Sequence, residues 1–188
     1  MSALTLDPEM VEHVFGVTRS VQHRFDQYQK PEKIRAKERG SLLIREHLTA
    51  GRILDIGGED FYHRFYDGFD VVTHNLPDDM HEMPYRAEFD AVLAMHVLEH
   101  SPFPLYVLAL INRALKPGGL LYVAVPRPCD KFCRVHYGHW SVMRARMWAT
   151  LIVGAGFSIL RNESGKFGDR KQWIEHRFLC QTPAVPAL

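Results

Sequence analysis

Histidine is the side chain whose charge changes near neutral pH, so it is the first group to consider where a proton must move. Among 11 histidines, His96, His136 and His139 are the candidates for such a base. His96 follows the apolar run FDAVLAM at 89–95, and His136 and His139 fall in or just after a stretch rich in proline, cysteine and charge. A second chemical centre is the segment 52–61, RILDIGGEDF. There Ile53, Leu54 and Ile56 read as a strand buried on both faces, interrupted by Asp55 one residue before it ends. Gly57 and Gly58 follow, and glycine lets a backbone turn tightly and approach a ligand with no Cβ in the way. In open α/β sheets ligands lie beyond the carboxyl ends of the strands, so this turn is expected to hold a nucleotide-like cofactor.

Other chemistries fit less well. His96 and His100 are four apart with Glu99 between them, whereas a zinc-protease helix needs its glutamate directly after the first histidine. Cys129, Cys133, His136 and His139 could supply zinc donors, but a CxxxC spacing is not among the strong zinc patterns, and no metal is expected. The count of 3 cysteines is odd, and the start MSALTLDPEM has no basic-then-apolar signal pattern. Free thiols in a reducing cytoplasm are the expectation. A nicotinamide-type GxGxxG turn would need glycines where Glu59 and Tyr62 stand. A formal net charge of +1 gives no global pull toward nucleic acid or an anionic membrane. No apolar run approaches the roughly 18 residues of a membrane span.

The elements that must position these groups are legible in outline. The 188 residues, 46% hydrophobic and 24% charged, suit one globular unit with a sizeable core. Helices are expected over 7–30 and 32–48, the latter closed by Ala50-Gly51. Strands are expected at 53–56, 69–73, 89–95 and 120–125. A short helical segment falls at 60–66, an irregular stretch at 74–88, an apolar helix at 105–115, and a Lys-Pro-Gly-Gly turn at 116–119. A further helix is expected over 141–153, then two closing strands at 157–161 and 178–181, a hairpin with a long connection. Strands alternating with helices predict an α/β fold, a mostly parallel sheet with helices on both faces. The basic run Lys30, Lys33, Arg35, Lys37 and Arg39, with Tyr28, either closes over the site or forms a solvated helix face, the second being preferred. Trp140, Met143, Met147 and Trp148 suit an apolar binding surface or the core equally well.

Four segments, in order, resemble the class I S-adenosylmethionine-dependent methyltransferases, of the kind often grouped as methyltransferase type 11. They are LDIGG at 54–58, DDMHEMPY at 78–85, FDAVLAMHVLEH at 89–100 and LKPGGLLYVAVP at 115–126, and HWS and GAGF at 154–157 also fit. The resemblance spans about residues 53 to 157. It implies a Rossmann-like sheet, here lacking one helix and one strand after the second strand because that connection is short. The first 50 residues would be helices covering the site and residues 51–188 the Rossmann-like part, as one structural unit.

It also implies roles. Gly57 and Gly58 would pass close to the methionine part of S-adenosylmethionine, and Asp55 would order the turn and reach the amino group through water. His74 or Asn75 stands where the family usually places a carboxylate for the ribose hydroxyls. Asp79, or alternatively Asp78, would accept from the adenine amino group, with Met80 framing the ring. His96 would face the methyl group from the acceptor side, and Leu98-Glu99-His100 would be structural. Glu59 and Phe61 replace two glycines of the family's turn, and Glu59 would sit beside the cofactor's carboxylate or ammonium. The expected activity is methyl transfer to a small molecule or glycan. Hydroxyl acceptors are slightly favoured because His96 or His139 could take the proton, and no N/D-P-P-F/Y signature is present at 94–97. The rival is a non-catalytic binding or assembly protein that has lost the cofactor. No nucleic-acid or membrane partner is expected, and the oligomeric state is open.

Overall fold

The computed structural model describes residues 31–58, 65–75, 79–128, 139–166 and 174–184. The helix expected over 7–30, most of the segment 60–66, and Tyr28, Lys30, Cys129, Cys133 and His136 lie outside them.

Six strands form one sheet. In chain order the elements are α1 (Pro31–Arg45), β1 (Gly51–Ile56), β2 (Phe69–His74), β3 (Phe89–Met95), a 3₁₀ turn (Leu98–His100), α2 (Pro104–Ala114), β4 (Leu115–Pro126), α3 (Ala145–Gly154), β5 (Ser158–Lys166) and β6 (Ile174–Gln181). The sheet order is β2-β1-β3-β4-β6-β5. The first four strands run parallel, and β6 and then β5 add antiparallel at one edge. This is the expected Rossmann-like α/β fold. Among the described residues between β2 and β3 there is neither helix nor strand, as the short connection implied.

Alternation along the strands divides the core into two layers. Leu54, Ile56, Val92, Ala94, Leu121, Val123 and Phe178 pack with α2 and α3 on one face. Ile53, Ala91, Leu93, Leu120, Tyr122 and Leu179 pack with Leu43 and Ile44 of α1 on the other. Gly40 of α1 allows that approach, because a Cβ there would stand 2.7 Å from the Tyr122 ring. The Arg39 guanidinium reaches across to Glu163 of β5 at 2.6 and 3.1 Å. This residue of the basic run is therefore an inter-element tie.

Three expectations need correction. The Lys-Pro-Gly-Gly segment does not precede β4 but bulges within it. Leu115 pairs with Phe89 and Leu120 with Ala91, so the turn is looped out of register while Gly118 N donates to Pro183 O at 2.9 Å. The closing hairpin is longer than expected, and β6 begins four residues earlier, so charged side chains enter the sheet. The Trp/Met cluster does not stay together. Trp148 is fully buried against α2 and the sheet and Met143 packs on the same core, whereas Met147 and Trp140 are exposed.

Trp148 anchors α3, so Trp148→Ala should destabilise the fold by about 3–5 kcal/mol, the usual cost of removing a large buried aromatic. Its indole N–H has no hydrogen-bond partner among the described residues. Trp148→Phe, which gives up no such bond, should therefore cost clearly less. Urea unfolding of the two variants checks the order. Cys180 is buried without a disulfide, and burial pushes its thiol up to about 12, so this thiol is inert.

Candidate active site

The chain leaves β1 for β2 on one side, while β3 lies on the other. The carboxyl ends of β1, β2 and β3 thus surround a switch point, where a crevice forms. The Gly57-Gly58 turn sits there. Gly57 takes a φ of +68°, and its N–H donates to His74 O at 2.9 Å. At Gly58 a Cβ would fall onto the carboxylate of Asp55, which is fully buried beneath the turn. Asn75, just past β2, donates from Nδ2 to Gly58 O at 2.9 Å. Asp55, Gly57, Gly58 and Asn75 are thus brought together, whereas Glu59 and Asp78 lie outside the described residues.

The loop after β2 is tied inward. His74 is buried, with Nε2 2.9 Å from Asp79 O and its ring edge-on to Tyr85. The Asp79 carboxylate accepts from the His81 backbone N–H at 2.9 Å and lies 2.6 Å from His81 Nδ1. His81 Nε2 in turn lies 2.8 Å from Ser101 Oγ. Met80 packs in the core with Leu54, Ile56 and Val97. Through Oδ1, Asp79 thus staples its own loop.

His96 is the most constrained residue of the crevice. It follows β3 in the left-handed region at φ +53°, uncommon for a side chain other than glycine, with its N–H held by Ala124 O at 2.8 Å. Nε2 lies 2.9 Å from Glu175 Oε1 and Nδ1 lies 3.5 Å from Glu99 Oε1. Burial alone would push the imidazolium to release its proton. The bonds and charges of Glu175 and Glu99 outweigh burial and raise its pKa to about 9. Burial would likewise raise Glu99, but the His96 bond and the fields of His100, His96 and His139 bring it down to about 2. Glu175 is also held low, against the cost of burial, by His96 and then by Arg177. Arg177 Nε and Nη2 stand 2.9 and 2.8 Å from Glu175 Oε2, and both side chains are almost wholly buried.

Glu175 and Arg177 were not among the residues picked from the sequence. They are two apart in IEHRFLCQ, so they share one face of β6, but the strand was expected to begin only after them. The His139 ring meets that of His100 edge-to-face with centroids 4.9 Å apart. The segment carrying His139 is pinned to the turn after β3 by Ser141 N to Glu99 O at 3.0 Å and Ser141 Oγ to Ser101 O at 2.6 Å. Both candidate histidines therefore lie near one buried glutamate.

Comparison with known proteins gives these features a context. A family model described as a methyltransferase domain matches residues 7–162. The tRNA U34 carboxymethyltransferase of Chromohalobacter salexigens is 32% identical over 105 residues, covering 39% of this chain and 32% of that protein. The chain thus spans about a third of the length of this curated relative. Among solved structures, Burkholderia thailandensis 1,6-didemethyltoxoflavin-N1-methyltransferase, with bound 1,6-didemethyltoxoflavin and S-adenosylhomocysteine, superposes with a TM-score of 0.71 at 16% identity. That match covers 97% of this chain and 93% of the other. The N-methyltransferase NodS of Bradyrhizobium japonicum, in complex with S-adenosylhomocysteine, gives 0.64 at 15% identity over 88% and 98%. At such identities the likeness is one of fold. No helix among the described residues is long and apolar enough to cross a membrane.

Proposed function

The chain belongs to the class I S-adenosylmethionine-dependent methyltransferase family, and from that premise we propose that it transfers a methyl group from S-adenosylmethionine to a small molecule. The observation that carries this reading is the glycine turn at the β1/β3 switch point, with Asp55 packed beneath it and Asn75 bonded to its carbonyl. Gly57 and Gly58 would present backbone without Cβ atoms to the methionine part of the cofactor, and Asn75 would serve its ribose hydroxyls. When bound, S-adenosylmethionine supplies a methyl group on a sulfonium, which an acceptor lone pair takes by in-line displacement. The protein's part is to align the acceptor and exclude water, and the rigid carboxyl ends of β1 and β3 suit that part.

His96 bears on the acceptor. Its two ring nitrogens face Glu175 and Glu99, so neither is turned to an acceptor hydroxyl, and the hydroxyl preference loses one of its candidate bases. His96 instead packs as a fixed polar wall of the crevice. A neutral amine or ring nitrogen, which attacks through its lone pair and sheds its proton afterwards, needs no such base. A nitrogen acceptor therefore fits this site better than a hydroxyl on a small molecule or glycan. A tRNA acceptor has the curated relative in its favour. The formal net charge of +1 supplies little of the phosphate attraction that such a partner uses.

One set of observations favours a cofactor-free relative as a second reading. Glu59 and Phe61 replace glycines, Asn75 replaces a carboxylate, and Asp79 is engaged by His81. Incubation with methyl-labelled S-adenosylmethionine and an extract split into small-molecule, glycan and RNA fractions tests the proposal. Label should appear in the small-molecule fraction on nitrogen, stable to mild base. Label in RNA, or in no fraction, would overturn it.

A further inference from the structure

Glu99 carries a feature that the cofactor site does not use. It is 1% exposed, and its Oε1 faces His96, yet Oε2 has no hydrogen-bond partner among the described residues. An ionised oxygen buried without a bond is costly, so such an atom calls for a ligand. One carboxylate oxygen of Glu99 and one ring nitrogen each of His100 and His139 lie within 4.8 Å of one another. We propose that Glu99, His100 and His139 bind a first-row divalent cation of the zinc type beside the crevice.

Three arguments support the assignment. The donors are chemically matched, since imidazole nitrogen and carboxylate oxygen are ordinary zinc ligands and a set of two histidines and one carboxylate leaves a position open. The spacing is near the requirement. Bonds of roughly 2.0–2.2 Å in a tetrahedron put ligand atoms roughly 3.3–3.6 Å apart, which small side-chain rotations reach from the present arrangement. The two segments are also already in register. Ser141 bonds both Glu99 O and Ser101 O, so His139 is delivered to the 3₁₀ turn by the backbone and not by its own contact alone. Sequence spacing pointed away from a metal because it weighed Cys129 and Cys133, whereas the donors assembled here are 39 residues or more apart across the loop, apart from adjacent Glu99 and His100. On this reading His139 is a ligand and not a base. The bound ion ties the 139–141 segment to the end of β3 and offers its open position to water or to a heteroatom of the acceptor.

Cobalt(II) is the probe. Full-length protein stripped with chelator and titrated with cobalt should bind one ion per chain with micromolar affinity and develop visible bands without thiolate charge transfer. His100→Ala and His139→Ala should each weaken that binding at least tenfold while leaving the urea unfolding midpoint of the metal-free protein in place. Cys129→Ser/Cys133→Ser should bind as the parent does. A thiolate charge-transfer band, unchanged affinity in His139→Ala, or no saturable binding would overturn the assignment. The last result would leave water as the partner of Glu99 Oε2. These readouts need no methyl transfer and stand whether or not the cofactor reading holds.

Discussion

Arg177→Met should destabilise the protein by about 3–5 kcal/mol, the cost typical of breaking a buried ion pair from one side. The pair lies inside β6, with Arg177 and Glu175 side chains 1% and 2% exposed. Methionine fills much of the volume but leaves Glu175 with His96 and without its guanidinium. The penalty is thus a buried carboxylate that has lost half of its ionic compensation, not a cavity. The double variant Arg177→Met/Glu175→Gln removes that charge and should recover a good part of the loss. Urea unfolding with an unchanged slope measures both. A loss below about 1 kcal/mol, the range of exposed pairs, would mean that the network is solvated and does not hold His96.

Gly58→Ala is the second large expectation, and it acts on ligand binding. The new methyl group would fall on the Asp55 carboxylate, so either the turn or Asp55 must move. Overpacking of this kind costs about 1–3 kcal/mol, which corresponds to roughly a five- to 150-fold loss of affinity if the strain falls on the ligand-bound turn. Titration with S-adenosylhomocysteine measures that loss. Gly154→Ala is the control. There a Cβ would meet Leu105 Cδ1 at an ordinary 3.8 Å, so stability and affinity should stay near those of the parent. Equal affinity in Gly58→Ala would place the cofactor away from this turn.

The sheet was legible because its central strands are buried on both faces. Ile53–Ile56 and FDAVLAM are apolar runs of the kind that buried strands carry, and the short β2-to-β3 connection already pointed to the lack of one strand and one helix. The Lys-Pro-Gly-Gly turn was legible as a turn but not as a bulge. Local chemistry sets the reversal, whereas the pairing of Leu115 with Phe89 is decided by the neighbouring strand. The glycine turn could be read from Asp55, Gly57 and Gly58 alone. The rest of the site could not, because its partners are distant in the chain. Glu175 reaches His96 across 79 residues, and no local pattern marks that contact. Asp79 is the converse case. The loop signal was present, but His81 two residues on takes the carboxylate through a local turn that the motif does not reveal.

Calorimetric titration of the 188-residue protein with S-adenosylmethionine and S-adenosylhomocysteine tests whether the β1/β3 switch point holds the cofactor. One site per chain with micromolar affinity for both ligands, weakened in Gly58→Ala, is the expected result. No heat of binding at millimolar ligand, from protein shown to be folded by its unfolding transition, would contradict it and favour the cofactor-free relative.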